Sequence, residues 1–313
     1  MEIIKKIGPI NLEEISAVGM LYGKIDPKYK SMAYVKALFN ENPAGYSIHI
    51  FVKDKKEFIG HYCIIPIKCY GEEQDFLSGK AEAFFVKEKY RDSVIELNGK
   101  TKSISHAMCE ILYDLAKEQG IKVIHVVCDR RLAIFHKLFG FKVYKYNIYN
   151  HRFYINYYYD HKFISRLQKL ILIFMTPIIS IVPAKSNGYI NKRIKTNWGI
   201  KESEDFIKWL QKINVLKTYG DAEGITYIEN LQLKEIAEVP NSFSSIKKIH
   251  LFLKYLLNSK EQSLVRLRAK RMYIIMNLLG AVVSSHEVII LTLNLDNEQM
   301  GSPEFSIYFD SPF

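Results

Sequence analysis

The segment Ala81–Arg91 (AEAFFVKEKYR) combines a strand pattern with a group of cations, and a predicted helix follows it. The alternation in Ala81–Val86 predicts a strand that places Ala81, Ala83 and Phe85 on one face and the other three residues on the opposite face. A strand that ends at a loop before a helix N-terminus forms an anion site, because free backbone N–H groups and the helix dipole point at the loop. A diphosphate group suits such a site. The cations around it are Lys87, Lys89, Arg91, Lys100 and Lys102.

The segment Asp129–Phe141 (DRRLAIFHKLFGF) has a second distinctive pattern. It predicts a short helix over 131–139 that ends at Gly140, followed by a strand over 141–149. The helix carries His136, whose imidazole can exchange a proton near neutral pH. The strand carries Tyr144, a second group able to donate a proton.

The elements that position these residues follow the order β-α-α-β-β-β-loop-α-β-α-β, which predicts a mixed α/β (α+β) fold rather than a doubly wound one. Asn11 and Glu14 predict a capping box at the first helix. Asp26-Pro27 opens the second helix, which is expected to run to about Phe39. Residues 87–100 form the predicted loop, and the next helix begins at Thr101 or Ser103. The predicted strands cover residues 2–6, 46–52, 57–69, 80–86, 122–129 and 141–149.

The second half of the chain repeats part of the first half. At a shift of 140 residues, Arg130–Val143 (RRLAIFHKLFGFKV) aligns with Lys270–Val283 (KRMYIIMNLLGAVV). Apolar positions of the preceding helix also coincide at this shift. We therefore predict a first domain over 1–150, a linker over 151–194 and a second, degenerate copy of the same fold over 195–313.

The composition limits the possible functions but does not identify one. The 313 residues, 48% of them hydrophobic, are enough for two domains. The formal net charge of +11 attracts anions, whether nucleic acid, anionic lipid or a phosphorylated cofactor. The four cysteines include no CxxC pair and no zinc spacing, which predicts reduced thiols and no metal site. The N-terminal residues lack the apolar core of a signal peptide, so we expect a cytoplasmic protein.

The most hydrophobic stretch is Leu170–Val182 (LILIFMTPIISIV), which is shorter than the roughly 20 apolar residues that a membrane span needs. Basic residues flank it on both sides. We expect a linker helix buried between the domains. A helix over 163–183 that lies on an anionic membrane surface is the alternative.

The two segments together resemble the GNAT (GCN5-related) N-acyltransferase superfamily. The strand AEAFFV followed by VKEKYR is similar to the family's V-x-P-x-Y-R stretch, and DRRLAIFHKLFGF is similar to its N-x-x-A-x-x-x-Y-x-x-x-G-F segment. The resemblance covers about residues 45–146, and residues 195–313 only faintly. It implies a mixed, mostly antiparallel sheet flanked by helices, here duplicated.

The resemblance also implies an acyl-CoA donor, acetyl-CoA or a longer one, in a splay between strands 81–86 and 122–129. The backbone near Phe85, Val86 and Lys87 would hold the pantetheine arm. Asp129 stands where the family has Asn. The residues that would face the diphosphate are Arg91, Gly99, Lys100 and Thr101.

The reaction implied is direct attack of a primary amine on the thioester of the donor. The amine must lose a proton, and the departing thiolate gains one. Glu82 is the candidate base, directly or through water. His136, at the position of the family's tyrosine, is the candidate acid, and Tyr144 is the second candidate. We expect a small-molecule acceptor, such as an amino sugar or an aminoacyl group, and no nucleic acid.

The loop departs from the family's glycine-rich pattern R-x-x-G-x-G/A. After Arg91 the sequence reads DSVIELNGKTKS, with Gly99 as its one glycine, and glycine is what lets amides approach a phosphate closely. A non-catalytic protein that keeps the scaffold and binds nucleic acid or membrane through its basic surface is therefore the alternative function. Gly99-Lys100-Thr101 is not a P-loop, because Val94 stands where that motif needs glycine.

Overall fold

The computed structural model describes residues 1–71, 74–128, 130–157, 160–181, 198–201, 203–213, 218–222, 225–230, 233–236, 243–268, 273–296 and 303. Its strands are β1 Glu2–Ile7, β2 Ile48–Asp54, β3 Glu57–Tyr70, β4 Phe76–Val86, β5 Val94–Leu97, β6 Lys100–Ser103, β7 Val123–Cys128, β8 Lys142–Ile155, β9 Gly199–Ile200, β10 Thr218–Ala222, β11 Ile225–Asn230, β12 Leu233–Ile236, β13 Ser263–Arg268 and β14 Val282–Asn294. Its α-helices are α1 Leu12–Tyr22, α2 Met32–Asn40, α3 Ile104–Glu118, α4 Arg130–Lys137, α5 Lys162–Ser180, α6 Glu204–Lys212, α7 Phe243–Asn258 and α8 Tyr273–Leu278.

The chain divides into two compact units. The first contains Met1–Tyr144, Arg193–Ile213 and Ile289–Phe313, and the second contains Lys145–Lys192 and Asn214–Val288. These units do not coincide with the contiguous division at residues 150 and 195 that the sequence predicts. The reason lies in the last strand of each half of the chain, described below.

The first unit is built on a sheet with the strand order β1-β2-β3-β4-β7-β14. Neighbouring strands are antiparallel except for β4 and β7, which are parallel. The predicted mixed, mostly antiparallel sheet is therefore confirmed. The main core lies between this sheet and α3, where Ile50 and Ile64 of the strands pack with Met108 and Leu112 of the helix.

The local sequence determines where helices α1 and α2 of the first unit begin. Asn11 Oδ1 accepts a hydrogen bond from the Glu14 amide at 2.9 Å, and the Glu14 carboxylate accepts one from the Asn11 amide at 2.7 Å, so the predicted capping box is confirmed. The helix predicted from Asp26 to Phe39 is instead a 3₁₀ turn, Pro27–Lys30, followed by α2. Ser31 separates them because its extended backbone and side chain cap α2.

The second unit has a smaller sheet of the same kind. Strand β13 pairs antiparallel with β8 and parallel with β12, and β11 and β10 continue outward in antiparallel pairs. Its core brings Leu172 of α5 and Phe252 of α7 together with Phe153 and Val265 of the sheet. Residues 151–155, predicted as linker, instead complete β8.

The repeat predicted from sequence is present in the structure, with the last strands exchanged. The series α3-β7-α4-β8 recurs as α7-β13-α8-β14, and the strand starts at 123 and 142 recur at 263 and 282. Residues 150–155 of β8 pair with β13, whereas residues 289–294 of β14 pair with β7. Each half of the chain thus donates its closing strand to the sheet of the other unit, which is why the units are not contiguous in sequence.

Candidate active site

Strands β4 and β7 separate partway along their length. Their parallel pairing joins Ser78, Gly79 and Lys80 to residues 123–125. Beyond Lys80, β4 continues to Val86, and β7 continues to Cys128. The two strands therefore form a fork, and the edge of β4 over residues 81–86 carries no ladder hydrogen bonds to β7.

A β-bulge bends β4 at the start of this fork. In its pairing with β3, Glu82 is opposite Cys63 and Phe85 is opposite His61, so two residues of β4 face Tyr62 alone. Ala83 within the bulge has a φ of 56°, a left-handed conformation that a residue with a Cβ rarely adopts. Such strain persists only where the surrounding structure imposes it.

The bulge makes the predicted alternation of Ala81–Val86 wrong. Phe85 contacts the ring of Tyr22 on α1, with the ring centroids 5.7 Å apart, and shares that face with the carboxylate of Glu82. Phe84 faces the α3 side, where it lies 4.8 Å from the Tyr62 ring. The extra residue of the bulge shifts the alternation by one position, so Phe84 and Phe85 exchange the faces expected from the sequence.

An aromatic wall lines the α3 side of the fork. Phe84 stacks on Phe135 of α4 with a centroid distance of 5.3 Å and an angle of 26° between the rings. Phe139 extends the wall from Phe135. These rings are half-buried, and they give this side of the fork an apolar surface.

Glu82 lies on the other face, in a polar cluster with Tyr29 and Lys80. The Tyr29 hydroxyl donates to Glu82 Oε1 at 3.3 Å, and Lys80 Nζ lies 3.4 Å from Oε2. Burial, together with the Glu82 charge, raises the pKa of Tyr29 well above its usual value, so its hydroxyl stays a donor. The Glu82 side chain is 19% exposed and Lys80 only 4%, so the carboxylate is the accessible member of the pair.

His136 belongs to a different environment. Its ring is buried against Tyr62 and Phe141, and Nδ1 lies 3.4 Å from the Tyr113 hydroxyl. Burial lowers the pKa of His136 to about 4, so the imidazole is neutral at neutral pH. Tyr144 is half-buried near the start of β8. Glu82 and His136 thus face opposite sides of the sheet, and their catalytic roles stay predictions.

The predicted cofactor loop is a β-hairpin rather than an open loop. A 3₁₀ turn, Glu88–Tyr90, is followed by β5 and β6, which pair from Val94 with Ser103 to Leu97 with Lys100. Asn98 and Gly99 join the strands with φ values of 53° and 72°, as a type I′ turn requires. The Asn-Gly pair is a sequence signal for this turn, although the sequence pattern of residues 87–100 is interpreted as a loop.

Several groups predicted to bind the diphosphate already have partners. Lys87 Nζ lies 2.6 Å and Lys89 Nζ 3.3 Å from carboxylate oxygens of Glu57. Lys102 is paired with Glu110. Arg91 is exposed, and its Nε lies at the long distance of 3.5 Å from the Val86 carbonyl.

The start of α3 is partly capped from within the chain. The Ile104 amide donates to the Ser93 carbonyl at 3.2 Å, and the His106 amide donates to Ser103 Oγ at 3.3 Å. Lys100 and Thr101 are exposed on β6, directly before this helix start. Asp129 lies outside the described residues. Anion binding here would therefore depend on Arg91, Lys100 and the amides that remain.

A buried chain of polar side chains next to the bulge was not foreseen. Ser47 donates to the Phe39 carbonyl at 2.9 Å, so His49 Nε2 must donate to Ser47 Oγ at 2.6 Å. His49 Nδ1 then accepts from His61 Nε2 at 3.0 Å. Cys63 lies close enough for the three side chains to offer ligand atoms within 4.8 Å of one another. Sequence spacing does not reveal this cluster, because His49 and His61 come from different strands.

No family model and no curated protein matches this sequence. Solved structures do match in fold. A probable N-acyltransferase of unknown function from Enterococcus faecalis is 11% identical, with a TM-score of 0.55 over 93% of this chain and 73% of that one. A GCN5-related N-acetyltransferase from Kribbella flavida is 10% identical, with a TM-score of 0.53 over 94% and 72% of the two chains. One from Anabaena variabilis is 13% identical, with a TM-score of 0.52 over 94% and 73%.

These likenesses show the fold. The chain has the mixed α/β fold of the GCN5-related N-acetyltransferases, as the sequence resemblance predicts. At 10–13% identity they do not carry a substrate or a set of catalytic residues from those proteins to this chain.

Proposed function

We propose that this protein is an acyl-CoA-dependent N-acyltransferase that moves an acetyl or longer acyl group to a primary amine. The observation that carries the proposal is the fork between β4 and β7, which opens beyond Lys80 at a strained bulge. The fork leaves residues 81–86 of β4 without ladder pairing to β7, beside an apolar wall. A pantetheine arm, which carries amides on an apolar chain, has the complementary chemistry.

The residues of the fork fit the parts of an acyl-CoA donor. The edge of β4 over residues 81–86 can pair with the pantetheine amides, as a strand edge pairs with an extended peptide. Phe84 and Phe135 offer apolar contact. Arg91, Lys100 and the remaining amides at the start of α3 supply positive potential for the diphosphate. When bound, the donor supplies an activated thioester carbonyl.

Glu82 accepts the proton of the acceptor amine, directly or through one water. The amine nitrogen forms a bond to the thioester carbonyl carbon, the C–S bond breaks, and the departing thiolate is protonated. Tyr29 and Lys80 hold the Glu82 carboxylate in place through contacts at 3.3 and 3.4 Å. The sequence-predicted proton donors are His136 and Tyr144. Because His136 is neutral, its contribution would come from a ring N–H.

The acceptor proposed is a small-molecule amine in the cytoplasm, such as an amino sugar or an aminoacyl group. The net charge of +11 favours acceptors that carry phosphate. An apolar amine without an anionic group would gain nothing from this charge.

The test measures donor binding and turnover separately. Calorimetry and thermal denaturation with CoA and acetyl-CoA should show saturable binding and a rise in melting temperature. Release of free thiol from acetyl-CoA should then depend on an added amine. Glu82→Gln should lower turnover by about 10²-fold or more while CoA affinity is retained.

The matched control for this test is Glu118→Gln, at an exposed position near the end of α3. It should change neither property. Unchanged turnover in Glu82→Gln would remove Glu82 from the mechanism. The absence of any heat with millimolar CoA would remove the enzyme proposal itself.

The alternative is a non-catalytic protein that uses its basic surface to bind nucleic acid or membrane. The hairpin β5–β6 favours it, because the hairpin replaces the open loop and amides at the start of α3 are already bonded. This alternative predicts no CoA binding, and for nucleic acid an affinity that falls steeply with salt. If the protein binds CoA and shows no salt-dependent binding of nucleic acid, the alternative function as a nucleic-acid-binding protein is ruled out.

A further inference from the structure

Helix α5 buries one face that mixes polar and apolar side chains, and it leaves a row of large apolar side chains exposed on the opposite face. The inward residues Ser165, Gln168, Leu172 and Ile179 are buried and recur at intervals of three, four and seven. Gln168 is the centre of this face. Its side chain accepts from the Tyr154 amide at 2.8 Å and donates to the carbonyls of Gly280 and Arg152 at 2.8 and 3.2 Å.

The outward face is a continuous apolar stripe. Its members recur every three or four residues, as neighbours on one side of a helix do, and each is between 48% and 82% exposed. The stripe consists of Phe163, Leu167, Leu170, Phe174, Ile178 and Ile181. Such a row of large apolar side chains in contact with water indicates a surface that is covered when the protein works. This face of the helix, which the sequence predicts to be buried, is exposed.

Cations lie along one edge of the stripe. Lys162, Arg166 and Lys169 are all exposed and follow one another on the helix surface beside the apolar row. The helix contains no acidic residue. A partner that covers the stripe must therefore offer an apolar interior next to negative charge, which is the chemistry of a bilayer containing anionic lipids.

We propose that α5 attaches the protein to the surface of an anionic membrane, with the axis of the helix in the interface plane. The stripe enters the boundary between headgroups and acyl chains, and the three cations contact lipid phosphates. The helix is long and apolar enough to cross a membrane by length and composition. It does not cross one, because Gln168 and Leu172 hold its opposite face in the core of the second unit.

The experiment is sedimentation of the full-length protein with vesicles. Wild-type protein should pellet with phosphatidylcholine vesicles that contain about one third phosphatidylglycerol, and much less with phosphatidylcholine alone. The double variant Phe163→Ser, Phe174→Ser should lose about tenfold or more in vesicle affinity. Arg166→Gln should lower the affinity for anionic vesicles about fivefold and leave the affinity for phosphatidylcholine vesicles unchanged.

The matched control replaces exposed apolar residues of the first unit, Leu12→Ser with Ile25→Ser. It should bind vesicles as wild type does. Circular dichroism and melting temperature should be equal across the set, since every changed side chain is exposed. In Phe174→Trp, quenching by brominated lipids should place the ring among the upper acyl carbons.

Three results would overturn the proposal. The first is no binding to either kind of vesicle. The second is binding to anionic vesicles that is undiminished in Phe163→Ser, Phe174→Ser, which would assign it to the general positive charge. The third is self-association without lipid that the same double variant abolishes, which would assign the stripe to a second copy of this chain. None of these results bears on the acyltransferase proposal, which CoA binding tests independently.

Discussion

Lys80 on β4 and His125 on β7 form the last residue pair of the parallel ladder between these strands. From this pair onward the strands separate, and within three residues β4 reaches the left-handed backbone of Ala83. Lys80 also contacts Glu82, the accessible carboxylate on β4. Residues 80–83 of β4 therefore contain the last pair with β7, the point at which the two strands separate, and the candidate base Glu82.

The strain at Ala83 gives the first prediction. Ala83→Gly should keep or raise the free energy of unfolding, by up to about 1 kcal/mol, because glycine adopts a φ of 56° without a steric penalty. Ala83→Val should lower it by more than about 1 kcal/mol, because a β-branched residue is least tolerant of that conformation. Urea unfolding measures both effects.

The control for Ala83 is Ala81→Gly, two residues away in the same strand and outside the set of residues with positive φ. Glycine at this position should destabilise the protein by roughly 0.5–1 kcal/mol. If Ala83→Gly costs as much as Ala81→Gly, the bulge conformation is not the source of strain.

Part of this site was open to prediction from sequence, and the structure shows which part. The capping box at Asn11, helix α3 and the repeat at 140 residues all depend on local spacing, and all were predicted correctly. The bulge at Ala83 was not, because a bulge residue with left-handed backbone is normally signalled by glycine, and the residue here is alanine. The reciprocal exchange of β8 and β14 depends on which distant strand each one meets, and periodicity carries no information about that.

The hairpin β5–β6, which replaces the predicted cofactor loop, could be predicted from the sequence only in part. Asn98-Gly99 is a strong turn signal, but the flanking strands VIEL and KTKS are short, and β6 is largely polar. Alternation over four residues is too brief to separate a strand from a loop. The capping of α3 by Ser93 and Ser103 follows from this hairpin, so it was missed for the same reason.

The second prediction concerns the diphosphate. Arg91→Ala and Lys100→Ala should each weaken CoA binding roughly tenfold, because each removes a cation from the surface before α3. Raising the salt from about 50 to about 200 mM should weaken wild-type binding more than binding by either variant. Lys117→Ala, at an exposed cation on the far end of α3, is the control and should bind CoA normally. If Arg91→Ala binds as tightly as wild type, the diphosphate is held elsewhere.

The third prediction separates positioning from packing around Glu82. Tyr29→Phe removes the hydroxyl that donates to Glu82 at 3.3 Å, and it should lower turnover several-fold with little change in CoA affinity. Tyr34→Phe is the matched control, since in the described part of the chain its buried hydroxyl has no hydrogen-bond partner. Its turnover should equal that of wild type. Equal losses in the two variants would mean that these phenols act only by packing.

The fourth prediction follows from the histidines buried in the first unit. Burial lowers the pKa of His61 and His125 to about 3 and that of His136 to about 4, whereas an unfolded chain titrates near 6.5. Below about pH 6.5 the unfolded state therefore binds protons that the folded state does not, so the free energy of unfolding falls as pH falls. The stabilising contribution of these neutral histidines is fully present above about pH 6.5. It is lost as the pH falls toward about 4, by up to about 1.4 kcal/mol per pH unit for each histidine.

Urea midpoints measured from about pH 7.5 down to about pH 5 should therefore decrease steadily below about pH 6.5. His136→Gln should be less stable than wild type at the upper pH, because its buried ring packs against Tyr62 and Phe141. Its decrease with falling pH should nevertheless be shallower, since one titrating ring has been removed. The change of stability with pH tests this prediction, whereas the difference in stability at the upper pH does not. If His136→Gln loses stability with falling pH as steeply as wild type, the folded protein accepts a proton at His136 in this range.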